Sequence, residues 1–324
     1  MKKTRLIQYD LLRILAFISV YAGHFLGGYG KYYARHNLIY DSFLKIFDIG
    51  KYHVCIFAIV LGIFAAKVKE EKIGYWILKR YIYFFISGAF INLLYFGLGC
   101  LTDIFSPISF SDVILQSLVI GGKIFSPYWC MQAFLLGSIL VQINSRAKTD
   151  FVTVIFEIVF LTIMGQLFVA VCMCGYLITL LGDSKAYQTI TNSIIFRVGS
   201  LFAAWMTNYL LSAYDEAFWL YITNVITACF TVIAFTPRNE SNRVLDAIAR
   251  IPFLKNYMSM YIIHMVVLTL TGRFFLEHEL GFGNSMILTL ITIMLLSIPV
   301  QKIIDYVCGK IYGMVQAVEI KASK

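Results

Sequence analysis

The sequence predicts an all-α, polytopic bundle of about ten transmembrane helices, held in a lipid bilayer with both termini on the cytoplasmic side (N-in/C-in). Three observations predict it. Of the 324 residues, 60% are hydrophobic and only 14% are charged, whereas a soluble domain carries about 25% charge. Mean hydropathy is +0.77. The apolar residues fall in runs that approach the roughly 20 residues a membrane helix needs. The aromatic share of 16%, with 21 Tyr and 27 Phe, fits the same reading, because amphipathic rings collect at bilayer interfaces. This composition argues against a soluble enzyme, a secreted disulfide scaffold or a nucleic-acid binder, despite the net charge of +9.

Taken in order, apolar runs lie near residues 11–28, 53–66, 81–100 and 128–143, then 192–211, 217–235, 256–271 and 285–307. The stretch 151–182 is too long for one span. Gly165-Gln166 offers a fold point within it, which brings the expected number to ten. Segment 108–122 is half apolar and reads as an interfacial extra. Only Pro299 falls well inside a run, so the helices are expected to be largely unbroken. The basic start, Met1-Lys2-Lys3-Thr4-Arg5, leads into the first run as a signal peptide would. The run ends in Gly23-His24-Phe25-Leu26-Gly27-Gly28 without a small-residue cleavage pattern, so a retained first span is expected. No repeat and no separate soluble domain is legible, and residues 1–324 read as one membrane domain.

Orientation follows from the basic residues. With the N-terminus inside, the inner segments hold 20 Lys and Arg and the outer segments 6, with Arg197 left within a span. Six of the seven cysteines (Cys55, Cys130, Cys172, Cys174, Cys229 and Cys308) sit in or at the edge of apolar runs, and Cys100 closes another. They read as small buried hydrophobes. No Cys-x-x-Cys pair and no His/Cys ligand spacing occurs, so no metal site is expected.

Ionisable residues within spans are costly and mark candidate functional sites. The densest case is the first run, with Asp10, Arg13 and His24. Arg13 and His24 are 11 positions apart, which at about 100° per residue is three turns plus roughly 20°, so both lie on one helical face. Their axial separation is roughly 16 Å. Asp10 precedes Arg13 by one turn and can pair with it.

Asp10-x-x-Arg13-x-x-Ala16, with ten residues between Arg13 and His24, resembles the signature of the membrane acyltransferase-3 family. Three further segments resemble it in the right order. Ile77-Leu78-Lys79-Arg80-Tyr81 looks like the basic start of the family's third helix. Ser126-Pro127-Tyr128-Trp129-Cys130-Met131-Gln132-Ala133 looks like its Trp-containing fourth-helix start, with Cys130-Met131 where an aromatic and a Leu are common. Ser259-Met260-Tyr261-Ile262-Ile263-His264 looks like its late Ser-to-His segment.

The resemblance implies a membrane-bound O-acyltransferase of the surface-polysaccharide type. It would move an acyl group, commonly acetyl, from acyl-CoA to a hydroxyl of a cell-surface or exported carbohydrate. His24 is then the candidate base, since a neutral imidazole suits a hydroxyl of high pKa. Arg13 would hold a donor phosphate or the thioester end through its fork of N–H groups, and Asp10 would orient Arg13. Lys79 and Arg80, in the basic segment that begins at Lys67, would help hold the donor, or would be an ordinary inner-face charge cluster. Tyr261 and His264 would contact the acceptor or simply line the bundle. Trp129 would stack on a sugar or anchor the interface. Acyl-CoA enters as a donor substrate, and no permanently bound cofactor is expected. The rival reading is a multispan transporter or exporter of a small molecule or glycan precursor. In that case Arg13 and His24 would line a path, although the repeats and broken helices common in transporters are not seen.

Overall fold

The computed structural model describes residues 7–30, 52–68, 71–121, 130–211, 217–236 and 256–322, and the regular elements among them are all helical. Helix α1 (Ile7–Phe25) runs into a π-helical turn, Leu26–Gly30. Then come α2 (Tyr52–Lys67), α3 (Ile73–Leu101), the short α4 (Phe110–Leu118), α5 (Met131–Ala147), α6 (Phe151–Ile163), α7 (Leu167–Gly182), α8 (Lys185–Asn192), α9 (Ile194–Leu211), α10 (Ala217–Ala234), α11 (Tyr257–Glu277) and α12 (Phe282–Ala322).

Four of these are long and apolar enough to cross a membrane: α1, α3, α11 and α12. A fifth arises if α7 and α8, bent by 98° at a short break, count as one span. The expected ten crossings are thus not reproduced by length and composition. The reason is dimensional. The shorter apolar helices include α2, with 16 residues, and α6, with 13. At 1.5 Å per residue these reach only about 20–24 Å, against a hydrocarbon core of about 30 Å. The stretch 151–182 does divide as its chemistry suggests. Gly165 takes φ +72°, a left-handed turn that glycine adopts without a Cβ penalty, and α7 starts just after Gln166. The segment near 108–122 forms α4, opened by the Ser109 side chain accepting from the Asp112 N–H. Asn92 Nδ2 donates to Ser117 Oγ at 3.1 Å and ties α4 to α3.

Helix α2 is the central strut, packed against α1, α5, α7 and α10. Small residues allow this. A Cβ on Gly62 would collide with the carbonyl oxygen of Cys172, and one on Gly175 with that of Ile59. The α2–α7 crossing is therefore a backbone-to-backbone approach of the kind membrane helices make with glycine. Phe17, Tyr21, Ile59, Ile63 and Ile91 are fully buried in the bundle. Cys55, Cys130, Cys172, Cys174 and Cys308 are buried too, while Cys100 is exposed.

One end of the bundle gathers the start of α1, α3, α9 and α11 and the finish of α2, α5, α7 and α10. Gln142 Nε2 of α5 donates to the carbonyls of Ala65 and Val68, both at 2.7 Å. Ser145 Oγ donates to Ala66 O, and Arg146 donates to Glu71 O. These bonds satisfy the orphan carbonyls that end α2 and fix the chain leading into α3. Arg197, the one basic residue expected within a span, donates to the carbonyls of Thr191, Ala234 and Thr236, which fastens α9 to the ends of α8 and α10.

Candidate active site

The site is built from α1, α2, α3, α5 and α11. On α1, Asp10 and Arg13 are both buried. Arg13 Nη1 lies 3.4 Å from Asp10 Oδ1, longer than a usual N–H···O bond of about 2.7–3.2 Å, so the pair is a loose ion contact. The guanidinium plane is held by stacking. Its Cζ is 4.3 Å from the Phe64 ring centroid of α2 and 4.5 Å from that of Tyr257 on α11. Desolvated cation–π contacts are worth up to about 2 kcal/mol each. Faces held this way leave N–H edges for a ligand.

Arg13 lines a cavity of about 50 Å³, together with Arg80, Tyr83, Met131, Tyr257 and Tyr261. A wider cavity of about 290 Å³ lies beside it at the gathered end of the bundle, lined by Glu71, Trp76, Lys79, Arg80, Tyr83, Tyr257 and Tyr312 among others. Arg80, Tyr83 and Tyr257 line both, so the two form a mouth and a neck that meet at Arg80. The Arg80 guanidinium lies 5.4 Å from the Trp76 ring centroid. Lys79, by contrast, is paired with Glu71 at 2.8 Å. Two guanidinium groups and no carboxylate line the neck, which suits an anionic guest.

Beyond the neck, Tyr257, Tyr261 and His264 sit at i, i+4 and i+7, one face of α11. The Tyr261 hydroxyl contacts Cys130 Sγ at 3.2 Å. Its ring centroid is 5.4 Å from that of His264. The His264 ring is in turn 5.4 Å from the His24 ring and edge-on to Phe17 at 5.9 Å. His264 Nδ1 lies 2.5 Å from the Tyr261 carbonyl oxygen. A carbonyl can only accept, so Nδ1 carries the proton and donates. Neutral His264 therefore presents a bare Nε2. That nitrogen is fully buried with no partner among the described residues, an arrangement costing about 1–3 kcal/mol and one that calls for an explanation. His24, on the last turn of α1, is exposed.

The sequence-level candidates are thus distributed along one line. Arg13, Arg80 and Tyr261 meet in the neck, His264 and His24 pair just beyond it, and Asp10 backs Arg13. Lys79 reaches only the mouth, where Glu71 takes its charge. Trp129 lies outside the described residues. Arg13 and His24 share a helix, and the face of α11 links them. Sequence reasoning missed Phe64, Glu71, Tyr83 and Tyr257. The i, i+4, i+7 pattern on α11 would have found Tyr257, and Tyr83 is one turn from Arg80. It also missed His53, buried against Tyr52 with its own Nε2 unpartnered among the described residues.

A model of an acyltransferase domain family matches residues 6–301. Neither a curated protein nor a solved structure matches the chain. With all-helical architecture, several apolar helices long enough to cross a membrane and this match over most of its length, the chain belongs to the acyltransferase-3 family and is a multi-pass membrane acyltransferase.

Proposed function

We propose that the chain moves an acyl group, acetyl in the first instance, from acyl-CoA to a hydroxyl of a cell-surface or exported carbohydrate, in the cytoplasmic membrane with both termini inside. The observation that carries this reading is the line of groups from mouth to far end: Arg80, Arg13, Tyr261, His264, His24. Distance divides their labour. His24 and Arg13 are about 16 Å apart along α1, so Arg13 cannot touch a carbonyl that His24 serves. Arg13 and Arg80 therefore hold the donor's phosphates, and the extended pantetheine arm carries the thioester toward the histidines. Lys79, neutralised by Glu71, contributes little. Asp10 keeps Arg13 in place.

At the histidines, the acceptor oxygen attacks the thioester carbon while His24 takes its proton. The tetrahedral intermediate collapses, the carbon–sulfur bond breaks, and the imidazolium returns the proton to the departing thiolate. The products are an ester and free CoA. His264, whose tautomer is fixed by the Tyr261 carbonyl, supports His24 by offering its bare Nε2 as an acceptor. Tyr261 lines the approach. Trp129 is a candidate sugar contact. Mass spectrometry of the host's surface glycans, with and without the gene, tests the reading: an acyl group that disappears with the gene supports it, and unchanged acylation counts against it. A change in transport of glycan precursors with acylation intact favours the exporter alternative.

A further inference from the structure

Tyr83 lines both the mouth and the neck and follows Arg80 by three residues on α3. We propose that its hydroxyl is a third group donating to the acyl-CoA phosphates, beside Arg13 and Arg80, and that Gln301 on α12 is the residue that positions it. The inference rests on the acyl-CoA reading and gives roles to two residues which that reading leaves unused.

Chemistry fixes the direction of each hydrogen bond in a chain that joins three helices. The chain starts at Asp305 of α12. Its exposed carboxylate accepts at 2.8 Å from the side-chain amide of Gln301, one turn earlier. Only the amide nitrogen can donate, so Nε2 faces Asp305 and Oε1 is left to accept. Ser259 of α11, fully buried, donates its hydroxyl proton to that Oε1 at 2.6 Å. The amide is thus held at both ends, and a flip would set its oxygen against the carboxylate. The other hydrogen of Nε2 goes to the Tyr83 hydroxyl oxygen at 3.3 Å.

A tyrosine hydroxyl has one proton to give and lone pairs that accept. Gln301 uses a lone pair, so the Tyr83 proton is left to be given, and no acceptor takes it among the described residues. The two guanidinium groups that line the neck with Tyr83 only donate. A phosphoryl oxygen brought by the guest can accept from the cations and from the hydroxyl together. Accepting from Gln301 also polarises the hydroxyl and strengthens its own donation. An acceptor in place of the Gln301 amide nitrogen would do the reverse and draw the proton to itself.

The test is CoA binding to the full chain in nanodiscs, read by calorimetry against empty nanodiscs, with thermal melting as the fold control. The proteins form a cycle: wild type, Tyr83→Phe, the pair Gln301→Glu with Asp305→Asn, and all three changes together. Every change is close to isosteric. The pair keeps the net charge and lets positions 259, 301 and 305 stay bonded, but position 301 now accepts from Tyr83 instead of donating to it. Tyr83→Phe and the pair should each weaken CoA binding about 10- to 150-fold, the loss of one hydrogen bond to a charged group. The triple change should match Tyr83→Phe to within about twofold, because both routes remove the same proton. Losses that multiply would mean that the pair acts through its field or by loosening the helices, and would overturn the positioning role. CoA binding unchanged in Tyr83→Phe would overturn the hydroxyl contact and leave the acyl-CoA reading standing. No CoA binding by the wild type would remove both.

Discussion

Replacing Arg13 by Lys separates the charge at this position from its shape. Lysine keeps a cation beside buried Asp10, so the change avoids leaving a buried carboxylate alone, which would cost about 3–5 kcal/mol and confuse loss of fold with loss of function. What goes is the planar fork, stacked between Phe64 and Tyr257 at 4.3 and 4.5 Å. A flexible ammonium cannot stay flat between two rings, pair with Asp10 and still present a directed N–H edge. The loss is one charge-assisted hydrogen bond to the donor, about 1.5–3 kcal/mol, or roughly a 10- to 150-fold weaker donor interaction. A phosphate contact is the same in ground and transition states, so the loss should appear in the donor KM and not in kcat. Steady-state acyl transfer in proteoliposomes at varied acyl-CoA reads both, with thermal melting as the fold control. A folded Arg13→Lys protein whose donor KM stays within twofold of wild type would refute this role.

The same logic ranks the neighbours: Arg80→Ala should raise donor KM far more than Lys79→Ala, because Glu71 already holds Lys79, and equal effects measured in the same assay would contradict the assignment. Gly175→Ala should lower the melting temperature by the equivalent of about 1–3 kcal/mol, as overpacking does, since its Cβ would meet the Ile59 carbonyl; an unchanged melt would show that α2 and α7 can part freely. Exposed Cys100, at the far end of α3, should react with an impermeant thiol reagent on intact cells. A Lys72→Cys residue in a Cys100→Ser background should need permeabilised cells, and the reverse pattern would invert the proposed orientation.

What the sequence made legible were features written within one helix or one run. Helical class followed from hydropathy, and the Asp10–Arg13 pair from i, i+3 spacing. The break at Gly165-Gln166 followed from a residue that tolerates positive φ. Contacts between helices far apart in the chain were not legible. Nothing in the period of α11 says that His264 packs on His24, or that Tyr257 covers Arg13. The pairing of Lys79 with Glu71 was also hidden, because it depends on how Gln142, Ser145 and Arg146 hold the end of α2 and the segment after it. Among the described residues the helices of crossing length are fewer than the apolar runs, because apolar runs record composition while the length of a helix depends on where packing and caps stop it.

The most direct test of the central claim is transfer of a labelled acyl group by the purified protein in liposomes, comparing wild type with His24→Ala. General-base catalysis contributes about 10²- to 10⁴-fold, equivalent to about 3–5 kcal/mol of barrier. The account predicts a loss of that size in kcat, with donor binding retained, since His24 lies about 16 Å along α1 from Arg13. Wild-type transfer rates in His24→Ala would contradict it.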